Sequence, residues 1–262
     1  MNKIKIGVIP SAGKGKRMGY LSHILPKPLF PLYDKPIIHY IIENMLKVGV
    51  KEIYIPIFYH KEKFREYFKK TKEFINAKIH LIELKRPTRG IASTIYSVKD
   101  FINEPFITIL GDDCTITASL QNLIETFFQK KAIVVEGLVS ENDENTLRST
   151  CCVKLNKDNQ IIEIVEKPQK IISKIRGTGI YVFNTKIFDY IEKTPIAPPR
   201  NEREITNTIK LIAKDGKAYG EFIDGININI NDPENLLKAW LIIRDGVKRE
   251  KNALSEYYFT KL

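Results

Sequence analysis

The run Lys3-Ile4-Lys5-Ile6-Gly7-Val8-Ile9, followed at once by Ser11-Ala12-Gly13-Lys14-Gly15-Lys16-Arg17-Met18, decides how the rest of the chain is read. A short apolar run bounded by turn residues reads as a buried strand. Glycines directly after such a strand place backbone N–H groups where phosphate oxygens approach without meeting a side chain. Taken alone, Gly13 and Gly15 would also suit an ordinary turn. Two other phosphate loops are excluded by the same residues. Lys16-Arg17-Met18 offers no third glycine to open a helix, and no Gly-Lys-Ser/Thr follows a four-residue gap. Arg17, and Lys27 within Pro26-Lys27-Pro28-Leu29, add permanent positive charge, one as a planar fork and one as a compact point charge.

Outward from this segment, strand-like runs at 3–9, 52–58, 78–84 and 106–110 alternate with helical patterns. Ile37, Ile38, Ile41, Ile42, Met45 and Leu46 recur at helical spacing with Gly49 as the stop, and Phe64, Tyr67 and Phe68 form a shorter stripe. Such alternation predicts an α/β fold with a mostly parallel sheet flanked by helices, its ligands lying outside the carboxyl ends of the strands. Ser11 to Gly19 and Gly111-Asp112-Asp113 both follow such ends, which places them in one crevice. From about Ala132 the runs turn β-rich, at 132–139, 150–155, 160–165 and 179–183, with Lys157-Asp158-Asn159 as a hairpin turn. A helix is expected over 204–213. Another should open at Asp232-Pro233, with Leu236, Leu237, Trp240 and Leu241 as its apolar face. One domain is expected: a nucleotide-binding part over 1–131, a β-rich sugar-phosphate part over 132–230 and a helical segment over 231–262.

Composition narrows the function classes. The 43% apolar fraction is that of a globular chain. The formal net charge is +11, but acids are interleaved with the bases in the densest region, 61–72, and no DNA- or RNA-recognition module appears. The excess is read as a solvated surface plus a site for polyanionic small molecules, so no nucleic acid is expected as a partner. No stretch is long and apolar enough to span a membrane, and none at the N-terminus resembles a secretion signal, which points to the cytoplasm. Cys114, Cys151 and Cys152 have no metal-ligand spacing, and an odd count argues for buried, reduced thiols.

The loop and Pro-Lys-Pro-Leu together resemble the N-terminal signature of sugar-phosphate nucleotidyltransferases. The continuation Leu32-Tyr33-Asp34-Lys35-Pro36-Ile37-Ile38-His39-Tyr40 is most similar to glucose-1-phosphate thymidylyltransferases and uridylyltransferases. Further matches follow in order: Gly90-Ile91-Ala92, Gly111-Asp112, Glu166-Lys167-Pro168, Gly177-Thr178-Gly179-Ile180-Tyr181 and Arg200-Asn201-Glu202-Arg203-Glu204-Ile205-Thr206. The resemblance implies a nucleoside triphosphate, with dTTP or UTP favoured, joined to a sugar 1-phosphate, glucose 1-phosphate favoured, with release of pyrophosphate. It implies Mg2+ on Asp112. Ala12, Gly13, Gly15, Lys16, Arg17, Lys85 and Gly90 would hold the nucleotide. Asp113, Cys151, Glu166, Lys167, Thr178, Gly179 and Arg200 would hold the sugar phosphate, the glycine-flanked Thr178 through backbone and hydroxyl. Arg17, Lys27 and Lys167 would carry the catalytic charge, because in-line phosphoryl chemistry needs positioning and neutralisation more than a covalent nucleophile. Members of that family often self-associate, so a homo-oligomer is allowed.

The chain departs from the family at four places. The second metal ligand is usually an aspartate, and the aligned residue here is Asn229, with Asn227 and Asp224 as neighbouring candidates. No Gln precedes Gly90-Ile91-Ala92. Asp113 stands where an Asn is common, and Cys151 stands near an expected glycine. The first bears on metal affinity and the other three on base and sugar specificity, and two other readings stay open: a cytidylyltransferase for a non-sugar phosphate, and a catalytically inactive regulatory subunit. His23, His39, His60 and His80 show no catalytic spacing, and His39 and His80 are expected in packing or at the surface.

Overall fold

The computed structural model describes residues 3–116, 120–198 and 201–259. Its strands in chain order are β1 (Ile6–Val8), β2 (Pro31–Leu32), β3 (Lys35–Pro36), β4 (Glu52–Ile57), β5 (Lys78–Glu83), β6 (Phe106–Ile109), β7 (Asp113–Ile116), β8 (Val134–Ser140), β9 (Cys151–Leu155), β10 (Ile161–Glu166), β11 (Ile175–Phe183), β12 (Ala218–Phe222) and β13 (Ile226–Asn229). The helices are α1 (Leu21–Ile24), α2 (Ile37–Lys47), α3 (Lys61–Lys70), α4 (Ile91–Tyr96), α5 (Gln121–Gln129), α6 (Glu144–Ser149), α7 (Ile187–Lys193), α8 (Ile205–Lys214) and α9 (Pro233–Phe259).

The expected α/β architecture is present. In the main sheet, β5, β4, β1 and β6 lie side by side and parallel. β11 then runs antiparallel to β6 and hands the sheet on to β8 and β9, and β12 lies parallel to β8. Since β1 has β4 on one side and β6 on the other, the chain leaves it at a switch point, where the strand ends diverge and a crevice opens. β11 begins at Ile175, earlier than the expected 179, because Arg176 and Gly177 also pair with β8. Two glycines in four residues weaken the strand signal there. A separate ribbon pairs β13 with β7 and puts Asn229 opposite Asp113.

Two apolar layers cover the sheet. On one face Ile37, Ile38, Ile41, Ile42 and Met45 of α2 are buried with Leu123, Ile124 and Phe127 of α5. On the other, Ala92 and Ile95 of α4 pack with Ile187 and Ile191 of α7 and Ile205, Ile209 and Ile212 of α8. The hairpin turn is where expected, with Asn159 at φ 60 between the antiparallel β9 and β10. Asp232 caps α9 by accepting from the Asn235 amide at 2.8 Å.

The expected apolar face of α9 is corrected. Its inward stripe is Leu236, Ala239, Trp240 and Ile243, whereas Leu237 is 60% exposed and Leu241 37%. A helix turns about 100° per residue, so residues three and four apart share a stripe, and Leu237 and Leu241 fall one step round from it. Among the described residues no helix is long and apolar enough to cross a membrane. All three cysteines are free and buried.

Candidate functional site

At the carboxyl ends of β1 and β6 lies an open crevice of about 670 Å³. The loop after β1 forms one wall. Ser11 bridges to Ile57 at the end of β4, so the loop leaves the sheet as a continuation of it. Gly15 takes φ 69 and turns the chain into the short 3-10 turn Lys16–Met18. Arg17 is held by the side-chain oxygen of Asn231, to which its guanidinium donates. Ala12, Gly13, Gly15, Lys16, Arg17 and Lys27 all line this wall.

Opposite stands Asp112, in the turn between β6 and β7. Lys27 donates to its carboxylate at 2.8 Å, and both side chains are largely shielded. Ile230 donates its amide to the Asp112 carbonyl at 2.9 Å, which draws the end of β13 alongside. That brings Asn229 to the crevice with a side-chain oxygen, Oδ1, that is buried and has no hydrogen-bond partner among the described residues. A buried polar atom without a partner costs free energy, so its orientation points to a missing ligand. Asn227 donates to Asp113 at 2.6 Å and Thr115 at 2.7 Å, and accepts from Arg176 at 2.7 Å. Asp224 is exposed and does not line the crevice. Of the three neighbouring candidates, Asn229 alone brings an unpartnered oxygen to the crevice.

Asp112 and Asn229 are both hard oxygen donors, the type a magnesium ion takes. Among the described residues no group of three or more His, Cys, Asp or Glu side chains could hold a metal. The residues present therefore fit a cation that would be held by few protein oxygens, not one caged by protein side chains.

The far wall is built from β9, β10, β11 and the start of α8. Thr206 donates to Glu166 at 2.9 Å, and Lys167 lies 3.9 Å from the same carboxylate. Lys167 follows the end of β10 and takes φ 47. Cys151, Thr178 and Gly179 also line this wall. Gly90, at φ 93, closes the crevice from the side: a Cβ built there would stand 2.5 Å from the Arg203 carbonyl oxygen. That close approach joins the loop before α4 to the segment before α8, through Ala92 N to Arg203 O and Arg203 N to Arg89 O.

Three expectations are corrected. Asp113 is wholly buried, and its carboxylate accepts from Gly179 N, Thr115 and Asn227. Burial pushes its carboxyl up, against the pull of those donors. It therefore sets the position of Gly179 and does not line the crevice. The Thr178 hydroxyl donates to Gly137 O at 2.9 Å, tying β11 to β8, so only its backbone is offered to the crevice. Lys85 lines a neighbouring groove with Arg86 and Arg89. Arg200 lies outside the described residues.

Sequence reading missed Asn231, the support of Arg17, and Glu136, a buried acid behind the far wall. A lone acid within Ala132-Ile133-Val134-Val135-Glu136-Gly137-Leu138-Val139 was a usable signal for Glu136. His39 and His80 match expectation. His39 is buried against Tyr67 and Glu43, its pKa lowered by burial, and His80 stacks on Tyr54.

A family model described as nucleotidyl transferase matches residues 6–243. The bifunctional protein GlmU of Methanocaldococcus jannaschii is 34% identical over 243 residues, covering 93% of this chain and 55% of that protein. That of Methanococcus maripaludis strain C7 is 31% identical over 234 residues, covering 88% and 53%. The chain thus spans about half the length of the curated relatives it matches. Among solved structures, UDP-glucose pyrophosphorylase complexed with UDP-glucose superimposes with a TM-score of 0.84 at 22% identity, covering 93% of this chain and 99% of that one. At that identity the likeness is one of fold.

Proposed function

We propose that this chain, which belongs to the nucleotidyl transferase family of sugar-phosphate nucleotidyltransferases, joins a nucleoside triphosphate to a sugar 1-phosphate and releases pyrophosphate. The observation that carries the reading is the convergence of Asp112, its partner Lys27 and the unpartnered Asn229 oxygen opposite a glycine loop. dTTP or UTP is the favoured nucleotide and glucose 1-phosphate the favoured acceptor.

In the reaction an oxygen of the sugar phosphate attacks the α-phosphorus in line. The new O–P bond forms as the bond to the β-phosphate oxygen breaks, and no protein nucleophile intervenes. Backbone amides of the loop from Ala12 to Gly15 face the triphosphate. Arg17, held in place by Asn231, offers its fork to the departing pyrophosphate. Lys27 gives its charge to the α-phosphate region when a ligand draws it from Asp112. Glu166, fixed by Thr206, accepts from sugar hydroxyls, and Lys167 beside it holds the acceptor phosphate. Asp112 and Asn229 would hold Mg2+. When bound, that ion supplies charge neutralisation on the phosphate oxygens.

The test is pyrophosphate release with dTTP, UTP, CTP, GTP and ATP crossed against sugar 1-phosphates and phospho-alcohols, with and without magnesium. The expected result is magnesium-dependent turnover with a sugar 1-phosphate, reduced about 10²-fold or more in Asp112→Ala. Turnover confined to a phospho-alcohol would favour the cytidylyltransferase reading. Silence from folded protein with every pair would favour a regulatory subunit.

A further inference from the structure

Beside the crevice, with Pro87 and Thr88 as a common wall, runs a groove of about 710 Å³ that the reaction above does not use. Lys85, Arg86 and Arg89 reach it from the loop between β5 and α4, and Arg203 from the segment before α8. Among the described residues no acid lines it. The acids nearby are engaged elsewhere. Glu83 accepts two bonds from Arg65 at 2.6 Å, and Glu192 accepts from Tyr96 and Lys99. Glu202 and Glu204, on either side of Arg203, line the crevice instead. Glu192 acts on Arg203 electrostatically, without a hydrogen bond to it.

Lys85, Arg86 and Arg89 are exposed, so water and salt ease their mutual repulsion. Arg203 differs: its Nε–H is buried and has no acceptor among the described residues. A buried donor without an acceptor costs free energy, and in a groove lined by four cations the acceptor that fits is an anion. The remaining lining is largely apolar. Tyr96 and Ile196 lie there, the latter 44% exposed, while the Ser93 and Ser97 hydroxyls already donate to the carbonyls of Arg89 and Thr94. A ligand therefore meets cationic N–H donors and an apolar surface, the complement of a phosphate joined to a ring. The groove is also tied to the crevice. Arg203 N donates to Arg89 O at 2.9 Å and Ala92 N to Arg203 O at 3.2 Å, and Pro87, Thr88 and Gly90 of the same loop line the crevice. An anion between the Arg89 and Arg203 side chains removes the repulsion across this junction and holds the loop that forms the crevice wall.

We propose that this groove is a second ligand site, that it takes a small molecule in which a phosphate group is joined to an apolar ring, and that filling it tightens nucleotide binding in the crevice through the shared loop. The site stands apart from the proposed reaction, and its coupling rests only on the crevice being where the nucleotide binds.

The probe is phenyl phosphate, titrated by calorimetry at low ionic strength. The expected result is a site that survives Lys167→Ala in the crevice and is weakened roughly 10-fold or more when Arg86→Ser and Arg89→Ser are combined. Both arginines are exposed, so the combined variant should keep the urea midpoint and the kcat of the unaltered protein. Inorganic phosphate, lacking the ring, should bind about 5-fold more weakly. Phenyl phosphate should lower the nucleotide KM by about 5-fold with kcat unchanged, and should have no such effect in the combined variant. If no acceptor is turned over, the same shift is read in nucleotide affinity by calorimetry, so loss of the proposed reaction and loss of the groove site give different results. Binding that persists in the combined variant, or that vanishes in Lys167→Ala, would overturn the site. Equal binding of inorganic phosphate would overturn the ring, and an unchanged nucleotide KM and affinity the coupling. A short single-stranded RNA that binds where phenyl phosphate does not would replace the small molecule by nucleic acid.

Discussion

Replacing Glu136 by Gln has a consequence for stability that can be worked from its surroundings. Burial raises the carboxyl from an ordinary 4.5 to about 8. Across that window the folded chain keeps a proton that the unfolded chain has released, so stability falls as pH rises from 4.5 and levels off above 8. A separation of one in pKa is worth ~1.4 kcal/mol, so the whole penalty is about 5 kcal/mol, of which about 4 kcal/mol falls between pH 5 and pH 8.5. Gln keeps the shape and an oxygen for the Cys151 thiol but has no proton to lose. Its amide nitrogen takes the place of the unpartnered Oε2, a cost that does not vary with pH. Cys151 and Tyr181 are both pushed well up by burial and stay protonated over this range, and Asp113 is unchanged in the variant. The assay is urea unfolding of both proteins at pH 5 and pH 8.5. The unaltered protein should lose about 4 kcal/mol more than Glu136→Gln between the two. Equal losses would show that Glu136 ionises freely in the folded chain and would refute the reasoning.

Two further outcomes follow from the crevice. Asn229→Asp adds a charge beside Asp112 and should lower the magnesium concentration for half-maximal turnover by roughly 5- to 10-fold, whereas Asn229→Ala should raise it by about as much; an unchanged magnesium titration in both would remove Asn229 from the site. Gly90→Ala places a Cβ 2.5 Å from the Arg203 carbonyl at φ 93, and should cost roughly 2–4 kcal/mol by urea unfolding; a loss under about 0.5 kcal/mol would show that the two segments are not rigidly joined.

Much of the site was legible because its parts are local. A strand end, a glycine and a charged residue announce themselves within ten residues, as in Val8 to Arg17 or Ile109 to Asp112. The errors share one cause. Asp113 and Asp112 are alike in sequence, but Asp112 stays in the turn at the crevice while Asp113 opens β7 and is buried, where Gly179 and Asn227 claim it. The Thr178 hydroxyl was lost in the same way, to a carbonyl forty-one positions earlier in the chain. Lys85 was placed by its neighbours in sequence, yet the chain carries it past the crevice into the adjoining groove.

By itself, then, the sequence determined the alternation of strands and helices, the glycine loop after β1 and the family, because periodicity, glycines and ordered motifs are properties of neighbouring residues. Only the tertiary structure decided that Asn229, not Asn227 or Asp224, brings an unpartnered oxygen to the crevice that Asp112 lines, and that Glu136 is buried behind its far wall with an unpartnered oxygen. Both depend on register between strands far apart in the chain, β13 on β7 and β11 on β8. Register is set by the packing of whole faces, which no short stretch of sequence contains.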